Sequence, residues 1–160
     1  LYSHRRPEDV AAAVEQARAL GATIHCGGRS PDPASLPEQC RGGYFYEPTV
    51  LSGLDPACAV EQDEIFGPVL SVQVFDDEAH AMRLANATPY GLASVVYTRD
   101  LGRAHRAAEQ IQSGIVWINC WMVRDLRTPF GGAKASGVGR EGGLEALRFF
   151  TEPKNVCVKW

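Results

Sequence analysis

Apolar residues recur at helical spacing in four stretches of the chain. In the first stretch, Pro7 suits a first-turn position and Gly21 follows as a stop, which predicts an amphipathic helix over residues 7–20. A second helix is predicted after Asp76-Asp77, which can cap it, and continues through Leu84. A third has the apolar stripe Leu101, Ala104, Ala108 and Ile111, and a fourth covers residues 144–150.

Short runs rich in β-branched residues alternate with these helices. They predict strands over residues 22–26, 44–51, 69–75, 92–98 and 115–119, and a last strand over residues 155–158. Between residues 69 and 119 the order is strand, helix, strand, helix, strand. Parallel neighbours need a crossover helix between them, so this order predicts an α/β fold with a parallel sheet. Residues 29–43 and 121–143 are predicted to be loops.

Composition and charge exclude several classes of partner. The chain has 160 residues, and 16 Lys and Arg against 19 Asp and Glu give it a formal charge of −3. Because there is no basic run, no nucleic-acid partner is expected. No apolar run approaches the roughly 20 residues that span a bilayer, and no charged-then-apolar leader opens the chain. We therefore expect a cytoplasmic protein without a membrane partner.

The five cysteines are odd in number and widely scattered. None belongs to a Cys-x-x-Cys pair, and no histidine lies at a metal-ligand spacing from any of them. The sequence therefore predicts reduced thiols in a reducing compartment and no metal site.

Two stretches stand out as motifs, Gln62-Asp63-Glu64-Ile65-Phe66-Gly67-Pro68-Val69 and Pro129-Phe130-Gly131-Gly132-Ala133-Lys134-Ala135-Ser136-Gly137. In this order they resemble the C-terminal part of the NAD(P)-dependent aldehyde dehydrogenases. The resemblance implies that residues 1–143 are the C-terminal part of a catalytic domain, and residues 144–160 a terminal helix and an oligomerisation strand. It also implies that the nucleophilic cysteine and the general-base glutamate lie upstream. The chain by itself is then expected to hold no catalytic residue and to be inactive.

Glu64 and Phe66 are the candidate cofactor-binding residues. The resemblance implies that both contact the cofactor, NAD or NADP. A carboxylate at Glu64 would accept hydrogen bonds from both ribose hydroxyls and so orient the cofactor for hydride transfer, while Phe66 would lie against the nicotinamide end. From composition alone, the alternative is that Glu64 is a surface charge and Phe66 a core aromatic residue that begins the next strand.

Arg124 and Phe130 are the candidate substrate-binding residues. The stretch Trp121-Met122-Val123-Arg124-Asp125-Leu126-Arg127 resembles the branch of the family that acts on ring-cleavage semialdehydes of aromatic catabolism, such as the 2-hydroxymuconate and 2-aminomuconate semialdehyde dehydrogenases. Such substrates carry a carboxylate beside the aldehyde, and the planar fork of a guanidinium matches a carboxylate. Arg124 is therefore the predicted ligand, and the resemblance makes Phe130 a wall of the substrate tunnel.

Alternatives remain open for both substrate candidates. Arg124 could instead form a salt bridge with Asp125 or another nearby acid, and Arg127 competes for the same role. Phe130 could be a plain hydrophobic anchor of the glycine loop.

Two further patterns are left without a function. Residues 137–142 satisfy the G-x-G-x-x-G pattern, but a loop precedes them and the chain lacks the acid expected about 20 residues further on. Cys120 ends a predicted strand and follows Asn119, a potential oxyanion donor, but no base is in evidence to activate its thiol. We expect Cys120 to be a buried structural residue.

The leading hypothesis is the C-terminal third of a cytosolic NAD-dependent semialdehyde dehydrogenase that assembles as a homo-oligomer through its terminal strand. This segment would supply the ribose anchor and part of the pocket for a small aldehyde. A non-catalytic assembly module derived from the same fold is the alternative, and a stand-alone thiol enzyme using Cys120 is the third hypothesis. The sequence does not decide between NAD and NADP, or between a dimer and a tetramer.

Overall fold

The computed structural model describes Leu1, Ser3 and residues 5–160. They form two compact units, Leu1–Asp77 and Glu78–Trp160. The division between residues 143 and 144 that the resemblance implies stays a prediction. In the described part of the chain, every helix is too short or too polar to cross a membrane.

The first unit combines a three-stranded sheet with one long helix. Its elements are α1 (Arg5–Ala19), β1 (Thr23–Cys26), two 3-10 turns (Pro33–Ser35 and Glu38–Cys40), β2 (Thr49–Ser52), α2 (Ala59–Gln62) and β3 (Val69–Val72). β1 pairs antiparallel with β2, which pairs parallel with β3. The predicted first helix and first strand are confirmed. The predicted strand over residues 44–51 forms only from Thr49 onward, because Pro48 has no N–H for a strand ladder.

The core of this unit anchors the first motif on both sides of Phe66. One cluster of buried residues contains Ala17, Leu51, Leu54 and Val60, and a second contains Val10, Val14 and Tyr46. Ile65 and Val69 pack against both clusters. Hydrophobic packing therefore fixes the backbone on both sides of Phe66.

The second unit contains the crossover that the sequence predicts. Its elements are α3 (Glu78–Asn86), β4 (Tyr90–Gly91), β5 (Ala93–Val96), α4 (Leu101–Gln110), β6 (Ile115–Ile118), β7 (Ala133–Lys134) and α5 (Gly143–Phe150). β5 and β6 pair in parallel, with Ala93 opposite Ile115, and α4 connects them. β4 and β7 form a short antiparallel pair that the pattern of apolar positions does not predict.

The buried face of α4 differs from its predicted stripe. Ala104 and Ala107 are buried, whereas Leu101 is 73% exposed and Ala108 is exposed as well. The carboxylate of Asp100 accepts the backbone N–H of Arg103 and caps the helix. This cap places Leu101 in the exposed first turn, and the buried positions of the helix are small alanine residues.

The C-terminal segment, residues 151–160, forms no helix or strand and is exposed throughout. The strand predicted over residues 155–158 is therefore absent from the chain taken by itself. A strand is held by hydrogen bonds to a neighbouring strand, and no strand in the described residues pairs with this segment. Its pairing with a second copy stays a prediction.

The chain exposes more surface than its size predicts. Its accessible area is 11395 Å², whereas two separate compact domains of about half its mass each would together expose roughly 9,500 Å². Part of the excess is apolar, since Leu70, Val72 and Val74, on one face of β3 and its extension, are 60%, 41% and 82% exposed. Exposed apolar faces are typical of surfaces that contact further polypeptide or another apolar surface.

We expect the 160-residue chain, expressed alone, to bind an apolar fluorescent dye and to self-associate, because the β3 face would then be open to water. Dye fluorescence and sedimentation velocity measure the two effects. The variant Leu70→Ser with Val74→Ser should reduce both. A monomeric chain that binds no dye would contradict this prediction.

Candidate functional site

The first motif forms a loop between α2 and β3, termed here the acidic loop (residues 63–68). Phe66 has a φ of 54°, a left-handed conformation that is uncommon for a bulky residue. A methyl group on Gly67 would overlap Cγ2 of the buried Val10 on α1, so glycine is needed for the loop to lie this close to the helix. The loop therefore directs the Phe66 side chain outward, where it is 58% exposed.

A cleft of about 270 Å³ lies beside the acidic loop and is lined by Leu51, Val60, Glu61, Asp63, Glu64, Ile65, Phe66, Gly67, Val69 and Ser71. Glu64 is exposed and forms no hydrogen bond or ion pair with a described residue. One carboxylate oxygen of Glu61 accepts the Ser71 hydroxyl at 2.8 Å, and the other, Oε1, is buried without a partner in the described part of the chain. The cleft therefore offers several oxygen acceptors to a ligand with hydroxyl groups.

The size of the cleft limits what it can hold. Pockets for whole small molecules start at about 300 Å³, slightly above the 270 Å³ found here. A sugar with two hydroxyl groups fits this volume, whereas a complete dinucleotide does not. The size of the cleft and its oxygen acceptors are compatible with a ribose.

In the second unit, Arg124, Phe130 and Glu141 form a cluster, termed here the arginine cluster. The guanidinium carbon of Arg124 lies 4.2 Å from the centroid of the Phe130 ring, within the range of a cation–π contact. Nη2 of Arg124 donates to Oε1 of Glu141 at 3.1 Å, and Phe130 and Glu141 exchange two backbone hydrogen bonds of 2.7 Å. Within the described residues, Nε and Nη1 of Arg124 have no acceptor, so they can donate to a ligand.

Arg127, which competed with Arg124 for the substrate role, is paired with its own neighbour. Its Nε donates to Oδ1 of Asp125 at 2.9 Å, and its guanidinium and backbone N–H hold the pKa of Asp125 below the ordinary value. The alternative for Arg124 was a salt bridge with Asp125 or another nearby acid. In the structure Asp125 pairs with Arg127, and Arg124 forms its salt bridge with Glu141. Both the substrate role of Arg124 and its alternative are compatible with this geometry.

The glycine-rich second motif is packed tightly. A methyl group on Gly114 would overlap the carbonyl oxygen of Gly131, so the loop lies directly against the start of β6. Nη1 of Arg140 donates to the carbonyl oxygens of Gly132 and Gly139, each at 2.7 Å. These contacts fix the backbone on both sides of the arginine cluster.

The structure also describes the two sequence patterns that were left without a function, Asn119-Cys120 and residues 137–142. Asn119, the potential oxyanion donor, bonds the backbone of Thr98 through both side-chain atoms, at 2.8 Å to its N–H and 2.7 Å to its carbonyl oxygen. Cys120 beside it is partly buried. Residues 137–142 follow only the two-residue β7, so they do not belong to a βαβ unit. The described residues contain no group of three or more potential metal ligands.

The structure brings the predicted site residues together in two pairs. Glu64 and Phe66 line the same cleft, and Arg124 contacts Phe130. Sequence reasoning missed Glu141, which lies 17 positions after Arg124 with no periodic relation to it; its only signal was an acid within the glycine-rich segment. It also missed the Arg6 guanidinium, 5.3 Å from the centroid of the Phe66 ring, for which the sequence carries no signal.

Comparisons with known proteins place these residues in context. The model of the aldehyde dehydrogenase family matches residues 1–156. The chain is 50% identical over 159 residues to 2-hydroxymuconic semialdehyde dehydrogenase of Pseudomonas putida, covering 99% of the chain and 32% of that protein. It is 49% identical over 159 residues to 2-aminomuconic semialdehyde dehydrogenase of Danio rerio, with the same shares covered.

Solved structures of aldehyde dehydrogenases also match the chain. Betaine aldehyde dehydrogenase of Staphylococcus aureus, crystallised with NAD⁺, matches with a TM-score of 0.85 and 39% identity over 94% of the chain and 29% of that protein. An indole-3-acetaldehyde dehydrogenase of P. syringae in complex with NAD⁺ matches with a TM-score of 0.89 and 38% identity over 100% of the chain and 31% of that protein. The chain thus spans about a third of the length of the relatives it matches.

Proposed function

Because the chain belongs to the aldehyde dehydrogenase family, we propose that the whole protein oxidises a carboxylate-bearing semialdehyde to the corresponding acid with NAD, or alternatively NADP. The observation that carries the substrate class is the guanidinium of Arg124, which is held against Phe130 with donors open to a ligand. Two of the relatives named above are semialdehyde dehydrogenases, which supports the same substrate class. The nucleophilic cysteine and the general base belong to polypeptide outside this segment.

In this proposal the acidic loop binds the cofactor. NAD, when bound, accepts the hydride that leaves the substrate carbon. The unpaired carboxylate of Glu64 accepts hydrogen bonds from the ribose hydroxyls, which restricts rotation of the sugar. The exposed ring of Phe66 limits the positions open to the nicotinamide end. The cleft beside both residues, of about 270 Å³, is large enough for a sugar.

The arginine cluster binds the substrate. Arg124 pairs with its carboxylate through a charge-assisted hydrogen bond, and Phe130 forms an apolar wall beside the guanidinium. Because Arg124 is held at two points, by the ring and by Glu141, the substrate carboxylate meets an oriented donor. This contact positions the aldehyde at the far end of the same molecule.

The assembly and the compartment are part of the proposal. The exposed segment 151–160 would gain strand partners from a second copy of the chain, which supports a homo-oligomer. All five cysteines are unpaired, which fits a reducing compartment such as the cytoplasm. The 160-residue segment alone is expected to be inactive.

The cofactor role is tested by Glu64→Gln in the full-length enzyme. The amide keeps the size of the side chain and removes the charge that strengthens the bonds to the ribose, so we expect roughly a tenfold loss in cofactor affinity or in the hydride step. Cofactor titration measures the first quantity, and single-turnover formation of reduced cofactor the second.

The matched control is Asp63→Asn, which removes an equal charge from the neighbouring residue of the same cleft. We expect a smaller effect from it. Equal losses in the two variants would point to the general charge of the cleft, and unchanged rates and affinity in Glu64→Gln would remove the ribose assignment.

A further inference from the structure

We propose that Glu141 is a positioning residue that sets the substrate preference of the enzyme by orienting the guanidinium of Arg124. This inference rests on the proposed role of Arg124 as the carboxylate-binding residue. Glu141 itself touches neither substrate nor cofactor in this proposal. It acts through the single hydrogen bond of 3.1 Å between its Oε1 and Nη2 of Arg124.

The backbone geometry explains why Glu141 can do this. Phe130 and Glu141 are paired by two reciprocal backbone hydrogen bonds of 2.7 Å. The ring and the carboxylate therefore both project from the same hydrogen-bonded β-bridge. Arg124 comes from a different loop and contacts both of them. The guanidinium is thus held at two points, by the ring and by the carboxylate.

The pair is poorly suited to a purely stabilising role. The side chains of Arg124 and Glu141 are 36% and 59% exposed, and exposed ion pairs contribute little to folding. An arginine side chain, however, has many rotamers, and fixing them in advance strengthens ligand binding. Glu141 occupies only Nη2, so Nε and Nη1 stay available to a substrate carboxylate.

The test compares Glu141→Ala and Glu141→Gln in the full-length enzyme on two substrates, a carboxylated semialdehyde and a neutral aldehyde of similar length. For Glu141→Ala we expect the KM of the carboxylated substrate to rise roughly three- to tenfold, with a smaller change in kcat and a far smaller loss on the neutral aldehyde. Glu141→Gln should recover most of the preference, because its amide oxygen still accepts the Arg124 N–H. The control Glu145→Ala removes another exposed acid paired with an arginine, Arg148, and should leave the preference unchanged.

Several results would overturn the inference. A lower KM in Glu141→Ala would show that the two carboxylates compete for Arg124. An equal loss on both substrates, without recovery by glutamine, would indicate a merely structural role.

A double-mutant cycle separates this inference from the proposed function. If Glu141 acts through Arg124, Glu141→Ala has no further effect on substrate preference once Arg124→Ala is present. If Arg124→Ala abolishes the preference and Glu141→Ala alone leaves it intact, only the inference fails. If Arg124→Ala itself leaves the preference intact, the proposed substrate assignment fails together with the inference.

Discussion

Replacing Arg124 with alanine in the full-length enzyme is expected to lower kcat/KM for a carboxylated semialdehyde by roughly 10- to 30-fold, and to affect a neutral aldehyde far less. A charge-assisted hydrogen bond contributes about 1.5 to 3 kcal/mol. The Arg124 side chain is 36% exposed, so water weakens the interaction and the lower part of that range applies. Steady-state kinetics on the two substrates measures the effect.

Arg127→Ala provides the matched control for this prediction. It removes an arginine three positions further along, whose guanidinium is already paired with Asp125. We expect Arg127→Ala to leave the ratio of the two kcat/KM values near that of the unmodified enzyme. Equal losses on both substrates in Arg124→Ala would reject the assignment, and a larger change in Arg127→Ala would transfer the role to that residue.

Replacing Gly114 with alanine is expected to destabilise the protein by about 3 kcal/mol or more, at the upper end of the cost of overpacking. The added methyl group would overlap the carbonyl oxygen of Gly131, which is backbone and cannot move aside like a flexible side chain. The glycine loop would have to shift away from β6, together with the neighbouring Phe130. The midpoint of chemical denaturation measures the loss.

The control for Gly114→Ala is Gly42→Ala in the surface loop. A methyl group at Gly42 meets no heavy atom within 4 Å, so a change of about 0.5 kcal/mol or less is expected. If both variants unfold at the same denaturant concentration, the added methyl group at Gly114 is accommodated without loss of stability, which would contradict the prediction. In the kinetic assay, Gly114→Ala should weaken carboxylate preference as well, because Phe130 supports Arg124.

Local patterns predicted the parts of the fold whose signals lie within a single element. Of the apolar residues at helical spacing in the first stretch, Val10, Val14 and Ala17 form the buried face of α1. Leu20, the last of them, is exposed. The parallel pairing of β5 and β6 across α4 follows from the order of the elements. Pattern reasoning failed where packing outside the element decided the outcome, as on α4, where the predicted stripe residue Leu101 is exposed. The strand over residues 155–158 needs a partner strand that the described chain does not supply, so it stays a prediction.

The sequence identified the residues of the acidic loop but left the choice between the two arginines open. The motif containing Glu64 and Phe66 identified both residues, and the structure places them on one cleft; their contact with a cofactor stays a prediction. For the arginines, the sequence left Arg124 and Arg127 as competitors, because both lie within two residues of Asp125 in the same loop. The pairing of Arg127 with Asp125 and of Arg124 with Glu141 separates them.

The sequence by itself determined the α/β class, the amphipathic face of α1 and the two motifs, because each of these depends on residues close together in the chain. The tertiary structure decided which acid holds which arginine, how near Gly131 lies to Gly114, and that Phe130 and Glu141 share one backbone bridge. Such contacts join segments that are distant in sequence. They follow from how the loops pack in three dimensions, and no local spacing of apolar and polar residues encodes that packing.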